Sequence, residues 1–385
     1  MIDKDNVLML WTIIVSIAAI SIYLESKYDF VAKISGAIVA LICAMLLSNL
    51  NIIPTDSVVY DNVWAYVVPM AIPLLLFKCN ISKIWKESGR LLIIFLISSA
   101  GTVAGSIIGY VLLNKYIPSL NHIAGTMTGS YIGGGVNFVA VSSSFNIDSK
   151  LISSATVSDN LLMVLYFFVL IIIPSIGFFN KYFKRDYNNE FKVEESSLNS
   201  LKKPVNLVDI AFSFAFSLLI VTISFNLSSV ILSQLGDSNL VKFIGNKYLI
   251  LTTVSVLFAS VFPNFFSNIS GSQEIGTFFI YIFFVVIGVP ASIMSIIQNS
   301  PLLLVYCLIM VLINMIVTFA GAKLLNFSLE EAILVSNANI GGPTTATAMA
   351  ISKGWTKYVA PVMLVGTLGY IIGTYIGIFI GNILI

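Results

Sequence analysis

Two stretches decide how this chain is read: TGSYIGGGVNFVAVSSSF, from Thr128 to Phe145, and VSNANIGGPTTATAMAIS, from Val335 to Ser352. Each carries Ile-Gly-Gly near its centre, at Ile132-Gly133-Gly134 and Ile340-Gly341-Gly342, among hydroxyl and amide side chains. A glycine weakens a helix by about 1 kcal/mol relative to alanine, and Gly133, Gly134 and Gly135 stand in a row. Pro343 follows Gly341-Gly342 directly, removing a donor and obstructing the helical hydrogen-bond pattern. Both stretches should therefore open near their centres.

The surrounding sequence calls for a bilayer. Of 385 residues, 58% are hydrophobic and 10% charged, and the mean hydropathy is +0.97. A water-soluble domain of this size cannot hide that much apolar side chain. Runs long enough to cross the bilayer core fall at about 7–24, 31–50, 61–77, 91–113, 122–146 and 151–175, then 207–234, 246–266, 275–295, 302–325, 329–352 and 357–384. No basic leader and cleavage site accompany the first run, so it reads as a retained span. The chain divides into a first transmembrane repeat (1–177), a charged cytoplasmic linker (178–205) and a second repeat (206–385). The glycine stretch is the fifth segment of each half, and paired halves are a recurrent transporter architecture.

Each fifth segment either crosses as a broken helix or folds back as a re-entrant hairpin. With hairpins, each half makes five crossings, the halves are inverted, and 15 of the 20 Lys and Arg residues lie inside. The outside keeps Lys4, Lys115, Lys150, Lys242 and Lys247. With crossing helices the split falls to 11 against 9. The positive-inside rule favours hairpins.

Non-helical backbone at membrane depth persists only where protein or an aqueous cavity surrounds it. Freed N–H groups attract anionic solute groups, and freed carbonyls attract cations. Ser130, Gly133, Gly134, Gly135 and Asn137 in the first stretch are the expected solute and ion contacts. Asn337, Asn339, Gly341, Gly342, Pro343, Thr344 and Thr345 are those of the second. Oxygen-rich surroundings suit Na⁺ or a polar organic solute better than a soft metal. The spacings Gly101, Gly105, Gly109 and Gly369, Gly373, Gly377, Gly381 read instead as close helix packing. Asp159, followed by Asn160, is the most clearly intramembrane acid, and such a group marks an ion or proton path. It is the expected Na⁺ ligand or proton carrier.

Composition excludes several classes. The single histidine, His122, and the unpaired cysteines Cys43, Cys79 and Cys307 cannot build a Ser-His-Asp set, a zinc site or a disulfide framework. No phosphate-binding loop is present, and scattered basic residues give no nucleic-acid face. No enzyme activity is expected, and no cofactor beyond a coupling Na⁺ or H⁺.

Gly129 to Ala140, Ser336 to Pro343 and Ser158-Asp159-Asn160 resemble the YjcL-like family of bacterial and plastid membrane proteins, which carries the label "domain of unknown function". More distantly the chain is similar to the superfamily of bile-acid:Na⁺ symporters and monovalent cation:proton antiporters. That likeness implies two inverted repeats, a panel or dimerisation domain, a core domain with two interrupted helices, and an elevator-like mechanism. It also implies a homodimer in contact with membrane lipid. The antiporters' ion pair matches Asp159-Asn160, but no second adjacent carboxylate exists here, which argues against two-carboxylate antiport.

The expected fold is an all-α polytopic membrane protein. The expected function is ion-coupled secondary transport of a small polar or anionic organic solute, in the inner (cytoplasmic) membrane. A cation/proton antiporter without organic cargo is the second reading, and a channel or holin-like pore the third.

Overall fold

A computed structural model of the chain describes residues 2–28, 31, 36–79, 81–145, 147–185, 204–235, 238–290 and 293–384. Most of the linker, 186–203 with Lys192, Lys202 and Lys203, lies outside the described residues, as does Lys33. The described chain is all-helical and contains no sheet, and a lone bridge joins Lys184 to Ser328.

The longer helices are α1 (Val7–Lys27), α2 (Gly36–Asn49), α3 (Val58–Leu76), α4 (Leu91–Leu113), α5 (Leu120–Gly133), α6 (Gly135–Ser144) and α7 (Ser149–Ile172). The second half supplies α8 (Leu207–Gln234), α9 (Lys247–Val261), α10 (Ser272–Gly288), α11 (Ile293–Leu324), α12 (Leu329–Ile340), α13 (Pro343–Ser352) and α14 (Val359–Ile383). Seven helices among the described residues are long and apolar enough to cross a membrane, and α2, α9 and α10 are shorter apolar helices. The second run, read as 31–50, is regular only over Gly36–Asn49. The basic stretch around Trp85 forms the short helix Ile81–Glu87, with Trp85 exposed.

Local chemistry sets the ends. Asn206 and Asp209 form a capping box at α8, and Ser328 and Glu331 form another at α12. Each satisfies two N–H groups that a helix start leaves orphaned. In α3 the helix widens into a π turn at Val63–Val67, just before Pro69, which can neither donate to the ladder nor tolerate a carbonyl four residues back.

The helices pack in two groups. In one, α1–α3 meet α8–α10: Gly276 lies against Leu74 and Leu75, Ser217 donates to the Met70 carbonyl at 2.8 Å, and Trp64 meets Phe283 edge to face. In the other, α4–α7 meet α11–α14. Gly101, Gly105 and Gly109 bring α4 onto α11, where a Cβ would stand 2.8 Å from Val317, Met310 and Tyr306 respectively. This is the close packing expected of small residues at every fourth position. The outermost helices, α1 and α8, bury only a minority of their apolar side chains.

The glycine stretches fold back on themselves. His122, near the start of α5, stacks on Phe145 just past the end of α6, with ring centroids 4.8 Å apart. In the second stretch Asn337 reaches Met349 at 3.6 Å, and Ser328 meets the Tyr358 hydroxyl at 3.3 Å. Both are helical hairpins. Their arms of 14, 10, 12 and 10 residues extend about 15–21 Å each at 1.5 Å per residue, too short to cross a bilayer core of about 30 Å.

Candidate binding site at the hairpin tips

The two hairpins break at equivalent glycines. Gly134 has φ +87° and Gly342 φ +86°, a left-handed conformation natural to glycine. The amide of Gly134 still bonds the Ser130 carbonyl, and that of Gly341 bonds Asn337 at 2.7 Å, before the chain reverses.

Helix α14 brings the two breaks together. Gly366 packs on Pro343, where a Cβ would lie 2.7 Å from that ring, and three residues later Gly369 packs on the Ile132 carbonyl. Below it the glycine ladder continues: Gly373 meets the Gly129 carbonyl, Gly377 that of Gly125, and Gly381 the Phe145 ring. The first hairpin thus runs along α14 from its C-terminal end, and the second is rooted at its N-terminal end through Tyr358. Opposed hairpins meet near the middle of one helix. Contacts this close leave room only for hydrogen, and Cα–H groups face carbonyls across them.

A cavity of about 320 Å³ opens at the second tip. Its hairpin side is Pro343, Thr344 and Thr347 of α13, with Met363, Thr367 and Tyr370 of α14. Leu75 of α3 and Gln273 and Thr277 of α10 form the opposite wall, so the cavity lies between the two helix groups. Of the residues expected from sequence, only Pro343 and Thr344 line it.

The others are placed elsewhere. Asn137 is fully buried, its amide donating to the Tyr370 carbonyl and to Thr374, both at 3.0 Å, while its Oδ1 has no hydrogen-bond partner. It fastens the first hairpin to α14 beside the cavity. Asn337 accepts from Thr345 at 3.1 Å within its own hairpin, and Asn339 is held by Ser99 and the Phe95 carbonyl of α4. Asn160 turns back to its own helix at Thr156. Ser130 is buried, and Gly135 faces open space.

Asp159 does not line the cavity. The Tyr131 hydroxyl lies between its carboxyl and the thiol of Cys307. Neither Asp159 Oδ1 nor the Tyr131 hydroxyl closes a hydrogen bond of ordinary geometry, although both atoms are sealed from solvent. An acceptor left open at this depth is costly unless a proton or cation occupies it. Among the described residues no group of three or more His, Cys, Asp or Glu side chains could hold a metal, so any cation here relies on neutral oxygens beside one carboxylate.

Sequence reasoning missed a buried polar network. Asn314 of α11 donates to Ser98 and Thr102 of α4 at 2.9–3.0 Å and accepts from Ser336 of α12, which meets the Tyr166 hydroxyl of α7 at 2.7 Å. The signal was available: Asn314 is a lone amide in the apolar run Val311–Phe319. Gln273, Thr277, Thr367 and Tyr370 gave none, because single hydroxyls and amides within apolar spans are unremarkable.

The family model for the protein of unknown function DUF819 matches residues 12–385. The chain is 47% identical over 387 residues to the uncharacterized membrane protein YjcL of Bacillus subtilis (strain 168), covering 99% of this chain and 98% of that protein. The chain belongs to the DUF819 family.

Proposed function

We propose that this multi-pass DUF819 protein is an ion-coupled secondary transporter of a small polar or anionic organic solute. The observation that carries the reading is the meeting of two opposed, glycine-broken hairpins on one helix, with a cavity at the second tip between two helix groups. Broken helices at the midplane, at the interface of inverted repeats, are the recurring site of such transporters. The repeats run 1–177 and 206–385. Helices α1–α3 and α8–α10 act as the panel, and the hairpin-bearing group acts as the moving core.

The two faces differ in a way that suits alternating access. At the far end from the 320 Å³ cavity, a second hollow of about 370 Å³ lies among Asp5, Asp56, Asp61 and Ser149. Between it and the first hairpin, Trp64 packs on Phe283, and Phe138 on Phe284 with ring centroids 6.3 Å apart. The basic residues favour the side of the 320 Å³ cavity as cytoplasmic.

Asp159 supplies the coupling-ion position. Asn137 joins it to the solute cavity, since it bonds the carbonyl of cavity-lining Tyr370 on one side and abuts Gly133, two residues from Tyr131, on the other. A cation/proton antiporter without organic cargo is the second reading; the isolated Asp159 favours it, and the cavity favours the first.

The test is thermal stability of the purified protein in Na⁺, at varied pH, and with pools of small metabolites, because a ligand of the native state raises apparent stability. Stabilisation by an ion and by a solute pool supports the transporter. Stabilisation by an ion alone supports the antiporter, and by neither removes both.

A further inference from the structure

We infer that the cavity at the second hairpin takes a small, uncharged, hydrogen-bonding solute with an apolar face. This rests on the reading of that cavity as the solute site and narrows its cargo. Among the described residues lining it there is no carboxylate, amine, guanidinium or imidazole. A solute's net charge would find no opposite charge on that wall, so only neutral hydrogen bonds there repay the hydration it gives up.

Two helix starts lend the cavity positive character: that of α10, where Gln273 is the second residue and Glu274 in the first turn offsets the dipole, and that of α13. A helix N-terminus carries about half an elementary charge, and the first residue of α13 is Pro343, which brings no N–H.

What the cavity offers is neutral hydrogen bonding. Gln273 and Thr277 stand four residues apart on one face of α10, opposite Thr344 and Tyr370. None of these four side chains closes a hydrogen bond within the described protein, whereas Thr347 and Thr367 are spent on backbone carbonyls of their own helices. A free amide and three free hydroxyls both donate and accept. They match a solute that does the same, such as an amide or a polyol, better than an anion that only accepts. Leu75, Pro343 and Met363 supply the apolar surface.

The cavity can be probed without knowing its cargo. A Thr277→Cys chain in nanodiscs is titrated with methyl methanethiosulfonate and with its sulfonatoethyl and trimethylammonioethyl counterparts. Each rate is normalised to that of Trp85→Cys, at a side chain 71% exposed. The unaltered chain gives the baseline to subtract, since Cys79 and Cys307 are buried but Cys43 is half-buried. The neutral reagent should outrun both charged ones by about tenfold, because only they bring an uncompensated charge. An anionic or cationic reagent that keeps pace overturns the inference, as does a site that no reagent reaches. Gln273→Cys repeats the test should the first variant fold poorly. A charged-reagent preference would leave ion-dependent stabilisation intact, so this inference and the transporter reading fail separately.

Discussion

Gly134 and Gly135 are neighbours with opposite prospects. Gly134 is held at φ +87°, whereas a Cβ on Gly135 would meet nothing within 4 Å. Gly134→Ala should cost about 1–2 kcal/mol, the penalty of a left-handed L-residue, and Gly342→Ala should match it. Gly135→Ala should be neutral or slightly stabilising. Gly369→Ala should be worse than any of them, because its Cβ would meet the Ile132 carbonyl, and overpacking costs about 1–3 kcal/mol. Thermal unfolding of the four variants checks the order. Asn137→Ala should lose about 1–3 kcal/mol, since its removal strips donors from the Tyr370 carbonyl and Thr374 in a buried site.

The residue scale also shows what sequence could tell. The breaks were legible because glycine and proline act locally, and the Gly369 to Gly381 ladder was legible because its spacing is helical. Asn337, Asn339 and Asn160, expected as ligands, turn their hydrogen bonds inward to their own hairpin, to α4 and to their own helix. Which way an amide points depends on neighbours brought in from distant sequence.

At the scale of elements, the base of the second hairpin is clamped by charge. Arg185 meets Glu330 at 2.7 Å, with Glu330 only 1% exposed, and Arg90 lies 3.5 Å from Glu331. Lys323 reaches the Tyr182 carbonyl. The start of the linker, the α4 N-terminus and the second hairpin's base therefore share one end of the molecule. That is the arrangement the basic-residue count favoured for hairpins; crossing helices would have put Arg90 and Arg185 on opposite faces. Removing one partner of a buried pair costs about 3–5 kcal/mol. Arg185→Ala should approach that figure in chemical unfolding, and Glu330→Met combined with Arg185→Met should recover part of it. In sealed vesicles, cysteine at Lys150 should be labelled from outside and cysteine at Lys323 from the cytoplasm.

At the scale of the whole molecule, the two hairpins, α14 and the 320 Å³ cavity adjoin one another, and Asp159 meets the first hairpin at Tyr131. The sequence reading joined Asp159 to the tips; it meets Tyr131, three residues before the Gly134 break, but is not part of the cavity lining. The separation sharpens the expected behaviour: Asp159→Asn should abolish the ion dependence of solute binding while leaving the cavity accessible.

The central claim is that the hairpin tips face the two sides of the membrane in turn under control of the coupling ion. The most direct measurement is the labelling rate of Thr344→Cys from each side of sealed vesicles as Na⁺ and pH are varied. The account predicts fast cytoplasmic labelling in one ionic condition and a shift to external labelling in another, each gain matched by a loss. Labelling from a single side under every condition, or from both at full rate at once, would contradict it.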